Sequence, residues 1–111
     1  MNMKKMLKEA QRLQAKMQED MDRASEQLAA EHIEGSSGGG LVSVVVNGHK
    51  QLVSVKIKKE AVDPEDVETL EDLVFAATQS ALSAAEARNN EVMEAVQSAS
   101  MPSGMGGMFG M

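Results

Sequence analysis

The chain has 111 residues, enough for one small domain, and it contains no Cys, no Trp, no Tyr and two Phe. The absence of Cys removes disulfides, thiolate metal sites and cysteine nucleophiles together, and the scarcity of aromatics argues against a large monomeric core. A net charge of -6 speaks against nucleic acid when taken as one number, but the charge is segregated: residues 1–18 carry +4, 19–34 carry -5, 35–59 carry +4, 60–75 carry -7 and 76–111 carry -2. Fields set up by such blocks act locally and are hidden by the total. The longest unbroken apolar run, Leu73 to Ala77, is far below the roughly 20 residues that span a bilayer, and no apolar stretch follows the N-terminal lysines as a signal peptide would need, so a cytoplasmic protein without a membrane partner is expected.

In chain order, Met3, Met6, Leu7, Ala10, Leu13, Met17, Met21, Ala24 and Leu28 fall on one arc of roughly 120° at helical spacing. This predicts a long amphipathic helix whose Met-rich stripe is a packing seam for another helix. A first strand is expected near Ala30–Glu34, then a flexible connection at Gly35-Ser36-Ser37-Gly38-Gly39-Gly40, then a β-branched strand from Leu41 to Val46. Asn47-Gly48 suits a tight hairpin turn. The return strand runs from His49 to Lys59, with Val53, Val55 and Ile57 on a buried face and Ser54, Lys56 and Lys58 on a wet one. Asp63-Pro64-Glu65-Asp66 reads as a helix start with Asp63 as N-cap and Pro64 in the first position. That second helix continues through Val67, Leu70, Leu73, Val74, Ala77, Ala81, Ala84 and Ala85 toward Val96.

The fold class expected is α+β, an α-β-β-β-α arrangement with a three-stranded antiparallel sheet flanked by long N- and C-terminal helices. Residues 1–100 form a single domain, and the Gly/Met-rich residues 101–111 a disordered tail. A chain this size is marginally stabilised by its own burial. A homodimer is therefore expected, its interface taking in Val42, Val44, Val46, Val53, Val55 and Ile57 and the Ala77, Ala81 and Ala84 seam.

Catalytic, metal and cofactor sites are not expected. His32 and His49 without Cys offer no zinc spacing, the glycine run lacks the Lys-Ser/Thr of a phosphate-binding loop, and Ser36 and Ser37 lie outside a nucleophile elbow. The acids from Asp63 to Glu68 are accounted for by the helix dipole. The basic face of the first helix is harder to account for. Lys4, Lys5, Lys8, Arg12, Lys16 and Arg23 lie on an arc opposite the apolar stripe, where i,i+4 repulsion and the positive end of the dipole both oppose them. Glu9 relieves this in part by pairing with Lys5. Such a face calls for an external anion or an acidic partner surface, with a solvated face that keeps a Met-rich helix soluble as the bland alternative. Lys50, Lys56, Lys58 and Lys59 add a weaker patch, read as a solvated sheet face. With no aromatic platform for single-stranded bases, a nucleic-acid ligand would be held by its backbone with low sequence specificity.

The segment Gly39-Gly40-Leu41-Val42-Ser43-Val44-Val45-Val46-Asn47-Gly48, then Val53-Ser54-Val55-Lys56-Ile57, then Leu70-Glu71-Asp72-Leu73-Val74 with Ala76-Ala77, closely resembles the YbaB/EbfC family of bacterial nucleoid-associated proteins. The N-terminal helix with Gln11, Leu13, Gln14 and Met17 and the Gly/Met tail are similar too, so the resemblance covers nearly the whole chain. It implies a tweezer-like homodimer with helices projecting from a joined sheet core. It also implies binding of double-stranded DNA in the nucleoid, an effect on nucleoid organisation, gene expression or DNA repair, and partners among recombination or replication proteins. The family's projecting helices are implicated in DNA contact, which maps onto Lys4, Lys5, Lys8, Arg12 and Lys16, and onto Arg88 in an otherwise acidic second helix. The rival expectation is a protein-interaction module whose basic helix docks an acidic protein partner.

Overall fold

The computed structural model describes residues 2–100. Helix α1 spans Met3–Ala30, strands β1, β2 and β3 span Ile33–Ser37, Val42–Val46 and Leu52–Ile57, and helix α2 spans Val67–Ser100. This is the expected α-β-β-β-α order, with a three-stranded antiparallel sheet in the order β1-β2-β3. The chain falls into two compact units, one formed by the residues up to Gln27 together with α2 from Asn90 on, the other by Leu28–Asn89. The expectation of a disordered tail at 101–111 lies outside the described residues.

In the unit Leu28–Asn89, one sheet face packs on α2. Val42, Val44 and Val46 of β2 and Ala77, Ala81 and Ala85 of α2 are fully buried, with Ile33, Leu70, Leu73, Val74 and Leu82 packed around them. Full burial of each valine contributes about 1.5–3 kcal/mol. Alanines let α2 come very close to the sheet. A Cβ on Gly35 of β1 would lie 2.5 Å from the Ala77 carbonyl oxygen and 2.7 Å from the Ala81 Cα, so only glycine fits there. Ser37 Oγ donates to the Leu73 carbonyl at 2.6 Å, which fixes the end of β1 to the same helix.

Several local expectations are corrected. β1 begins and ends three residues later than expected, and Gly35, Ser36 and Ser37 belong to it, paired with Val44, Ser43 and Val42. Contact with α2 and this pairing order a stretch whose composition suggested a flexible connection. The turn with successive positive φ is Gly38-Gly39 (60° and 67°), closed by the Gly40 N–H donating to the Ser37 carbonyl, the pattern of a type I′ turn. Asn47-Gly48 instead opens a longer loop that reaches positive φ at Lys50. Gly48 is required there for space, since a Cβ would meet Leu28 Cβ at 2.7 Å. Buried Asn47 organises the loop, with its Oδ1 accepting from the N–H groups of His49 and Gln51.

The second helix starts at Val67, three residues later than Asp63 as N-cap would place it. Asp63 closes a turn by accepting from Glu65 N–H at its side chain and from Asp66 N–H at its carbonyl, and Asp66 is the cap, its Oδ1 accepting from Thr69 N–H. On α2 the buried seam is Ala77, Ala81 and Ala85, and Ala84 is exposed. The valines of β2 and this seam face one another within one chain, so they form its own core. β3 departs furthest from expectation: Leu52, Val53, Val55 and Ile57 are 42–65 % exposed. β3 is an edge strand, and a register shift near Val46 sets Leu52 opposite that residue.

In the other unit the buried apolar residues, among those described, are Ala24 and Val92. The α1 stripe at Met3, Met6, Leu7, Leu13, Met17 and Met21 is exposed.

Candidate nucleic-acid interface

Helix α1 starts where Asn2 Oδ1 accepts from the Lys4 N–H at 3.0 Å, an N-cap that sets the phase of everything after it. No acid stands in its first turn, so the positive end of the helix dipole and the ammonium groups of Lys4 and Lys5 add to one another. Residues 2 to 19 are all exposed.

The structure divides the predicted site residues into two kinds. Among the described residues no ion pair engages Lys4, Lys5 or Lys8, and their ammonium groups stand on the exposed face without a carboxylate. Arg12 is different. Its Nη2 donates to Glu9 Oε1 at 2.6 Å and its Nε to Glu9 Oε2 at 3.3 Å. The hydrogen bond first, and the partner's opposite charge second, hold the Glu9 carboxyl below its ordinary range and Arg12 above its own. Glu9 therefore pairs with Arg12 rather than with Lys5, because a bidentate fork outcompetes a single ammonium. Lys16 pairs with Asp20 at 3.1 Å, and Arg23 reaches Glu19 at 3.1 Å and Asp20 at 3.6 Å.

Arg88 stands apart from the α1 cations. Its Nε donates to Glu31 at 2.8 and 3.2 Å, tying α2 to the segment that leaves α1, with both side chains about one-third exposed. In this geometry the guanidinium is occupied by a carboxylate of its own chain.

The second, weaker patch read from the sequence as a solvated sheet face divides in the same way. Lys50 approaches Glu86 at 3.9 Å, but Lys56, Lys58 and Lys59 are exposed, and among the described residues none of them is in an ion pair. The signal for this group was the acid-free block 35–59; what was missing was knowledge of which lysines find a carboxylate. Metal chemistry has little to work with, since among the described residues no three His, Cys, Asp or Glu side chains come together as a metal site requires. No helix among the described residues is long and apolar enough to cross a membrane.

A helix that presents uncompensated lysines is chemically suited to polyanions, and the comparisons with known proteins agree with that chemistry. The family model of the YbaB/EbfC DNA-binding family matches residues 1–101. A nucleoid-associated protein of Bacillus cereus (strain B4264) is 48% identical over 87 residues, covering 78% of this chain and 80% of that protein. One of Bacillus thuringiensis (strain Al Hakam) is 46% identical over the same length and coverage. Among solved structures, an uncharacterized protein from Helicobacter pylori shares the fold, with a TM-score of 0.72 and 23% identity, covering 87% of this chain and 98% of that one. This is a family of nucleoid-associated DNA-binding proteins and not of enzymes. With its helix-sheet-helix order, its exposed lysine face and a match over residues 1–101, the chain belongs to the YbaB/EbfC DNA-binding family.

Proposed function

We propose that the chain acts in the bacterial cytoplasm, at the nucleoid, as a homodimer. It binds double-stranded DNA with low sequence specificity through the basic face of α1 and so affects nucleoid organisation. The observation that carries this reading is the uncompensated trio Lys4, Lys5 and Lys8 on an exposed helix face of a chain from a DNA-binding family. Ammonium groups without an intrachain partner gain most from phosphate, and each neutralised phosphate releases condensed counterions. Arg12 and Lys16 extend the same face, and each would have to leave a carboxylate to join it. Arg88, held by Glu31, is assigned a structural part.

Two exposed apolar surfaces support the homodimer. β3 presents Leu52, Val53, Val55 and Ile57 on an edge strand, where an open row of N–H and C=O groups suits strand pairing. The α1 stripe from Met3 to Met21 is the seam a second helix would cover. Residues 1–100 are the dimerising, DNA-binding domain in this reading, and recombination or replication proteins are its natural neighbours.

The test is a titration of random duplex DNA across salt with the parent protein and with Lys4→Gln/Lys5→Gln/Lys8→Gln. In a dimer the variant loses six ammonium groups, so the slope of log K against log salt flattens by about 5, at about 0.9 per phosphate. Sedimentation at micromolar concentration should give a dimer for both. Absence of duplex binding by the parent at about 50 mM salt would reject the DNA reading in favour of docking to an acidic protein, and a folded monomer would reject the dimer.

A further inference from the structure

We infer that the end of β3, with Lys56, Lys58 and Lys59 beside the Gly38–Gly40 turn, is a second surface for the phosphate backbone of duplex DNA, carried by the unit Leu28–Asn89. The inference rests on the DNA-binding reading above and adds to it a site on the sheet.

Of eleven Lys and Arg side chains, Arg12, Lys16, Arg23, Lys50 and Arg88 are in ion pairs. The remaining six fall into two groups of three: Lys4, Lys5 and Lys8 on α1, and Lys56, Lys58 and Lys59 at the end of β3. Among the described residues the second group is in no ion pair, although Glu60 follows Lys59 in sequence.

Register places the rest of the surface. Lys56 stands opposite Ser43, and Ser43 opposite Ser36, so one cross-strand row reads Ser36, Ser43, Lys56 on the face turned away from Val42 and Val44. Hydroxyls and an ammonium in line are groups that contact phosphate. Lys58 continues that face two residues on, about 7 Å along the strand, and its N–H donates to the Leu41 carbonyl at 2.9 Å. This hydrogen bond holds Lys58 against the β1–β2 turn. Its Nζ lies 4.0 Å from where a Cβ of Gly40 would stand. Gly38, Gly39 and Gly40 all have positive φ, and nothing lies within 4 Å of the corresponding position on Gly39. The Gly40 N–H is committed to the Ser37 carbonyl, so what the turn offers a phosphate is close approach at Gly39 rather than a cluster of N–H groups. A side chain at Gly39 or Gly40 would narrow that approach, whereas one at Gly38 would run into Leu73. Ammonium, hydroxyl and turn thus converge on one end of the sheet. Lys59 extends the group beyond the strand, in a 3₁₀ turn.

The experiment compares four proteins in the same salt-dependent duplex titration: the parent, Lys4→Gln/Lys5→Gln/Lys8→Gln, Lys56→Gln/Lys58→Gln/Lys59→Gln, and the combination of all six. The sheet variant should keep its thermal midpoint and flatten the slope by about 2.7 per protomer, at about 0.9 per phosphate. The combined variant should lose both contributions. Lys56→Arg/Lys58→Arg/Lys59→Arg should retain the parent slope, which a loss of folding would not allow. An unchanged slope in the sheet variant, with the parent binding normally, would overturn the second surface and leave the α1 reading standing. Failure of the parent to bind duplex would overturn both, and binding to anionic vesicles with no effect on duplex would reassign the patch to a lipid surface.

Discussion

Glu9 is the residue whose removal should strengthen DNA binding. In the folded chain its carboxylate takes both hydrogen bonds that the Arg12 fork can offer on that side, at 2.6 and 3.3 Å. Because Arg12 holds the Glu9 carboxyl below its ordinary range, mild acid does not open the pair: a group with a lowered pKa keeps its charge as pH falls until that lowered value is reached. A substitution does what pH cannot. Glu9→Gln removes one negative charge from the α1 face and returns one guanidinium to it, so a dimer gains two cations available to phosphate. At about 0.9 per phosphate the salt slope should steepen by about 1.8. Between 50 and 200 mM salt, a fourfold change, this means about a tenfold larger loss of affinity than in the parent, with tighter binding at the low-salt end. Fluorescence anisotropy of a labelled random duplex measures both quantities. A variant that binds more weakly at 50 mM salt, or whose slope matches the parent, would show that the α1 face does not meet phosphate at Arg12.

Further substitutions test the packing and the ion pair within the unit Leu28–Asn89. Gly35→Ala puts a methyl group against the backbone of Ala77 and Ala81, where no side chain can yield. Its cost should reach the upper end of the usual overpacking range, about 3 kcal/mol, and lower the thermal midpoint by more than about 10 °C, whereas Ser36→Ala on the open face should change it little. Arg88→Gln and Glu31→Gln should each lower stability by about 1 kcal/mol and leave the DNA salt slope alone; a flatter slope at full stability would make Arg88 a DNA contact after all.

The elements and their order were legible because each carries its own period: 3.6 along Met3 to Leu28, and 2 along Val42 to Val46 and Val53 to Ile57. Exact ends were less legible. Gly35-Ser36-Ser37 has the composition of a linker, and what makes it a strand is a long-range fit, the absence of a Cβ against Ala77 and Ala81. Asn47-Gly48 has the dipeptide of a tight turn, yet its glycine answers to Leu28, twenty residues earlier in sequence. β3 alternates as a half-buried strand should, but periodicity does not say whether the surface that covers it belongs to the same chain. The basic face of α1 was legible as a face, and its short-range pairs follow from i,i+3 and i,i+4 spacing. The pairing of Arg88 with Glu31 spans 57 residues and leaves no local trace.

Which cations are spent on carboxylates also bears on specificity. All three arginines, Arg12, Arg23 and Arg88, are in ion pairs within the chain, and all six cations outside such pairs are lysines. A guanidinium reads guanine by two parallel hydrogen bonds to its major-groove edge, the commonest specific contact to a base. A lysine ammonium on a flexible stem acts more nearly as a point charge. A surface that holds its arginines on carboxylates and offers lysines is thus suited to phosphates and poorly suited to reading sequence. The acids sharpen this arrangement rather than oppose it. At physiological salt a charge is felt over about 8 Å, so the net -6 matters less than where each group sits. Glu68, Glu71 and Asp72 leave the start of α2 anionic and exposed, a surface that turns phosphate away. Attraction at one place and repulsion at another govern orientation and encounter more than strength. On the proposed DNA-binding reading, low sequence preference and strong salt dependence have the same cause, and Glu9→Gln is the substitution that separates them: it returns a guanidinium to a face that otherwise offers only ammonium groups without partners.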